Sequence, residues 1–198
     1  MTHPGTATTT LLRRGFALEY TTLGWNVIGV AILVALALQA RSPALAGFGI
    51  DSLIEIGASL VVVWELAGAP EHRERVAMRL IGVAFLLLAT YLVAQIVVVV
   101  VTRLHPLTSP GGIAWTALTL VVMLGLALGK SSIGKRLGNP VLRTEGRVTF
   151  VDAILAGTVL LGLALNSLLG WWWADPVAGA VIVFYAIREG LSALRHGD

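Results

Sequence analysis

The stretch "AGFGIDSLIEIGASLVVVWEL", residues 46–66, decides the fold. It is long and apolar enough for a transmembrane helix, since about 20 residues cross roughly 30 Å of hydrocarbon. Yet Asp51 and Glu55 stand four residues apart in its first half, on one helix face. A charged residue near the bilayer centre costs about 2.5 to 3.5 kcal/mol to insert, so two acids there call for a cavity, a partner or an ion.

The rest of the chain sets the same context. Hydrophobic residues make up 57% and charged residues 13% of 198, with a mean hydropathy of +0.86. A soluble domain of this composition would lack the polar surface to cover itself. The expectation is an all-α, polytopic integral membrane protein with six spans, near residues 16–40, 44–66, 76–101, 112–129, 141–169 and 174–194. The separators carry turn and cap residues, and Pro43, Pro140 and Pro176 each suit the first turn of the helix that follows. The organisation expected is a tail over 1–12, one six-helix domain over 13–195 and a tail over 196–198. The start lacks the short apolar core of a cleavable signal, and the first apolar run is itself a span. The absence of cysteine excludes disulfides, thiolate metal sites and thiol nucleophiles.

A pI near 9.8 can signal nucleic-acid binding, but here the basic residues are dispersed between apolar runs, so no nucleic-acid partner is expected. Instead they report orientation, because cytoplasmic loops are enriched in Lys and Arg. Of the 14 basic residues, only Arg41 and Arg103 fall on one side of the six-span scheme. The other twelve share the opposite side, Lys130 being assigned to the connection between spans 4 and 5. Both termini are therefore expected in the cytoplasm.

With span 2 starting at Pro43 and span 5 at Pro140, a rise of about 1.5 Å per residue puts Asp51 roughly 12 Å deep and Glu55 and Asp152 roughly 18 Å deep. Three carboxyls from two antiparallel spans converge near the midplane, with no lysine or arginine expected at that depth. Glu65 returns to within about 40° of Asp51 on its helix. Glu145, Asp152 and Asn166 share a face of span 5, and Glu19 and Asn26 a face of span 1. Such stripes line a wet path. Glu19, Glu65 and Glu145 near the cytoplasmic edge would form an acidic funnel that concentrates cations. Against this, Glu19 and Glu65 can snorkel, Glu145 can pair with Arg143 and Arg147 at the surface, and Asn26 and Asn166 can simply bond between helices, as can Tyr91 and Gln95.

Other conspicuous residues have structural explanations. Trp171, Trp172 and Trp173 fit an interfacial aromatic belt. Asp175 and Pro176 fit a cap and first turn for span 6. His3, His72, His105 and His196 lie in tails or loops, which leaves no histidine base inside the bilayer for an intramembrane enzyme, so no catalytic residue is expected.

The segments "GFGIDSLIE", "RTEGRVTFVDAILAG" and "WWWADPVAGAVIVFYAIREGLSAL" together resemble the membrane domain of the cation diffusion facilitators, over about residues 13–194. That resemblance implies a midmembrane site for a divalent metal exchanged against protons. Its residues here would be Asp51, Glu55 and Asp152. The fourth position is Val148, where zinc-transporting members usually have histidine. The resemblance covers the transmembrane core only, without the cytoplasmic C-terminal domain usual in the family and without a histidine-rich loop between spans 4 and 5. The expected function is divalent cation efflux coupled to protons. Zn²⁺, Mn²⁺, Fe²⁺ or Co²⁺ would be the transported substrate, and no cofactor would be permanently bound. Asn26, Glu19, Glu65, Glu145 and Asn166 would line the path or support the ligands. A homodimer in a bacterial inner membrane is expected. A non-transporting scaffold on the same fold and a proton-coupled organic-cation carrier are the alternatives.

Overall fold

In a computed structural model, residues 4–66, 71–102 and 105–196 are described, and they form six α-helices. These are α1 (Pro4–Ala40), α2 (Pro43–Leu66), α3 (Glu71–Thr102), α4 (Pro110–Leu137), α5 (Pro140–Leu169) and α6 (Ala174–His196). The architecture is all-helical, as expected. Five helices contain a stretch long and apolar enough to cross a membrane: Thr9–Ala40, Pro43–Val61, Phe85–Thr102, Pro110–Leu137 and Glu145–Leu169. The sixth, α6, has 23 residues, about 34 Å of helix, but Asp175, Arg188, Glu189 and Arg195 dilute its apolar character.

Local chemistry fixes the turns. Ser109 caps α4 by accepting from the Gly112 amide at 3.1 Å, and Asn139 caps α5 by accepting from the Leu142 amide at 2.9 Å. Pro110 and Pro140 follow as first helical residues, where a missing N–H costs nothing. Gly138 and Gly170 end α4 and α5 in the left-handed region, at φ 66° and 67°. Two helices overrun their expected limits by more than five residues. The first begins at Pro4, inside the expected tail, and α4 continues to Leu137, past the expected end at 129. The second difference matters, because it draws Lys130 into a helix.

Antiparallel neighbours make the most extensive contacts, α1 with α2, α4 with α5 and α3 with α6, while α2 touches α1, α3, α5 and α6. Leu33, Leu45, Leu92, Leu155, Leu163 and Ile182 fill the main core, and Leu38, Val101, Leu128, Leu168 and Phe184 point outward. In lipid, outward leucine gains nothing by burial, so close approach depends on small residues. A Cβ on Gly82 would stand 2.9 Å from the Gly190 carbonyl, and one on Gly146 2.7 Å from the Ser131 amide nitrogen. The α3/α6 and α4/α5 pairs therefore meet backbone to backbone.

The end of the bundle away from the termini is tied shut by polar contacts. Asp175 accepts hydrogen bonds from Ser42 Oγ and, at 3.3 Å, from the Ala44 amide. The cap expected for α6 thus serves the start of α2 instead, since Ala44 is one of the amides that the first turn of α2 leaves without a partner. Asn166 donates to the Pro106 carbonyl at 3.0 Å, and the Leu107 amide donates to the Ala40 carbonyl at 2.7 Å. His105 stacks on Trp172 with ring centroids 4.4 Å apart.

Candidate cation site

Span 2 contributes Asp51 and Glu55 and span 5 contributes Asp152, and all three carboxyls are buried, with exposures of 4, 5 and 4%. Their i, i+4 spacing puts Asp51 and Glu55 on one face of α2, and Glu55 reaches α5. Asn26 of α1 donates to Glu55 Oε2 at 2.9 Å, and Thr149 of α5 donates to Glu55 Oε1 at 3.5 Å. Asp152 Oδ2 is buried without a hydrogen-bond donor. Among the described residues, no three histidine or acid side chains are already set as a metal site.

Toward the termini lies a second polar layer. Lys130 is fully buried. Its Nζ lies 3.1 Å from Glu19 Oε2 and 3.4 Å from Glu145 Oε1, and it donates to Thr149 Oγ1 at 3.1 Å. Ser59 of α2 donates to Glu145 Oε1 at 3.5 Å. This corrects four expectations. Lys130 is a buried cation set inside α4 and not in the connection after it, although it lies toward the termini from Asp51, Glu55 and Asp152. Glu145 pairs with this lysine and not with Arg143 or Arg147, both of which are exposed. The funnel is also not purely acidic, because an ammonium stands between Glu19 and Glu145. Glu19 is fully buried and does not snorkel.

The remaining expected residues separate by role. Asn26 joins the site through Glu55. Asn166 is committed to the Pro106 carbonyl at the far end of α5 and takes no described part in the carboxyl cluster. Val148 is half-buried, and the α5 side chain that meets Glu55 is its neighbour Thr149. Tyr91 and Gln95 bond to each other along α3, at 3.1 Å, and not between helices. Glu65 lies outside the described side chains. Sequence reasoning missed Thr149 and Ser59, two hydroxyls that carry no depth signal of their own, and the burial of Lys130, whose position beside Glu19 depends on how α1 and α4 pack.

No protein-family model matches the chain. The sequence is 25% identical over 184 residues to transmembrane protein 163 of Xenopus laevis. That alignment takes in 87% of this chain and 65% of the relative, so the chain spans less than two thirds of the relative's length. The protein is a helical integral membrane protein with several apolar helices, similar along most of its sequence to transmembrane protein 163.

Proposed function

We propose that the protein is a proton-coupled carrier of divalent cations and not an enzyme, with Asp51, Glu55 and Asp152 as the ligands. The observation that carries this is the burial of three carboxyls on α2 and α5, with Asp152 Oδ2 left without a donor. A buried carboxylate oxygen is costly unless a proton, a hydrogen bond or a cation satisfies it. The nearest cationic side chain described, Lys130, reaches this cluster only through Thr149. In the proposed cycle the carboxyls hold a proton when no cation is present, the cation displaces it, and rearrangement of the helices exposes the site to the other side. Ligation needs the acids to turn toward one another, which suits a site that must release its cargo as well as bind it.

The resemblance to cation diffusion facilitators supports zinc as cargo. An all-oxygen ligand set favours harder ions such as Mn²⁺ or Fe²⁺ relative to a histidine-bearing site, although the affinity order still puts Zn²⁺ above Mn²⁺. The carrier works in a lipid bilayer, as a homodimer in a bacterial plasma membrane with both termini in the cytoplasm. Calorimetric titration of purified protein with Mn²⁺ and Zn²⁺ tests the assignment. Asp51→Asn, Glu55→Gln and Asp152→Asn are each expected to abolish binding while the helical fold persists. Undiminished binding in all three would remove the site. Displacement of a bound lipophilic cation such as tetraphenylphosphonium, with no metal affinity, would turn the same acids over to an organic-cation carrier.

A further inference from the structure

The transport cycle as described makes no use of Lys130, although few arrangements in the bundle are as costly to build. Its fully buried ammonium is held by α1 through Glu19 and by α5 through Glu145 and Thr149, while α2 reaches the same cluster through the bond from Ser59 to Glu145. Four helices thus meet around one charge, between the termini end of the bundle and the Asp51, Glu55 and Asp152 cluster. The backbone approach of α4 to α5 at Gly146 and Ser131 lets Lys130 of one helix lie against Glu145 of the other.

We propose that Lys130 is a tethered cation that plugs the route from the termini end to the carboxyl cluster. With both glutamates ionised, two carboxylates face one ammonium, and the net negative charge attracts a further cation. A divalent ion is drawn to the pair more strongly than the monovalent ammonium, because Coulomb attraction scales with charge. The flexible four-carbon stem lets the lysine withdraw. Breaking a buried ion pair without replacement leaves an uncompensated buried charge, so the plug stays closed until another cation takes the ammonium's place. The Thr149 hydroxyl, accepting from Lys130 and donating to Glu55, links the plug to the site beyond it. This inference rests on the transport reading for what passes, but its test needs no transport.

The natural chain has no cysteine, so a single introduced thiol reports alone. Ser59→Cys places one beside Glu145. Thr116→Cys places one in a buried position on α4, about 21 Å from Lys130 along the helix. Both are reacted with a membrane-impermeant cationic methanethiosulfonate in nanodiscs, where each face is accessible. The Ser59→Cys thiol is expected to be shielded while Lys130 is present and to stay shielded with Lys130→Arg. It is expected to react at least about tenfold faster with Lys130→Met, and likewise in the neutral combination of Lys130→Met, Glu19→Gln and Glu145→Gln, as local opening becomes easier. The Thr116→Cys thiol should remain slow throughout, which marks an intact bundle. An unchanged Ser59→Cys rate in both Lys130→Met backgrounds would overturn the plug. So would equal acceleration at both positions, which is general loosening. Absent cation uptake alongside Lys130-dependent shielding would overturn the transport reading and leave the plug standing.

Discussion

Lys130 shows how burial changes what a residue is worth. On a surface its contacts with Glu19 and Glu145 would contribute under about 1 kcal/mol. Here all three side chains are buried, and removing the ammonium leaves two acids uncompensated. Lys130→Met is expected to destabilise the detergent-solubilised protein by about 3 to 5 kcal/mol, and adding Glu19→Gln and Glu145→Gln to recover most of that loss. Thermal unfolding measures both, and equal stability of the single and triple variants would contradict the network. Asp51, Glu55 and Asp152 were legible in the sequence because each interrupts an apolar run. Lys130 was not, since "GLALGKSSIGKRLG" ends an apolar run among glycines, serines and further basic residues and reads as a connector. Its partner Glu19 lies 111 residues earlier in the chain, a pairing that only the packing of α1 against α4 brings about.

At the scale of elements, the proline, asparagine and glycine signals placed the turns well, because a cap acts within a few residues of its own sequence. Asp175 was misread for the opposite reason: its bonds run to α2, some 130 residues away. Asp175→Ala should therefore loosen the junction of α2 and α6, leaving Ser42 and the Ala44 amide without their acceptor at a cost of about 1 to 3 kcal/mol. Hydrogen exchange over residues 42–46 would show it, and unchanged protection there would refute it. On α5, Val148→His adds an imidazole one turn before Asp152. It should strengthen Zn²⁺ binding more than Mn²⁺ binding, because imidazole suits zinc. Equal gains for both ions in parallel titrations would count against a site at this depth of α5.

Across the whole molecule, the proposed six-span arrangement would return the chain to the side on which it starts, and the distribution of basic residues supports the proposal that this side is the cytoplasm. Reporters fused to the two termini should both be active in the cytoplasm. Reporters active on opposite sides would mean that α6, the least apolar helix, does not cross. The central claim is that buried carboxyls on α2 and α5 exchange a divalent cation for protons, and proteoliposome uptake tests it most directly. With Mn²⁺ and Zn²⁺ offered in turn, the account predicts cation flux that a pH gradient accelerates, opposed proton movement, and loss of both in Asp51→Asn, Glu55→Gln and Asp152→Asn. Flux that ignores the gradient, or that survives in all three variants, would contradict it.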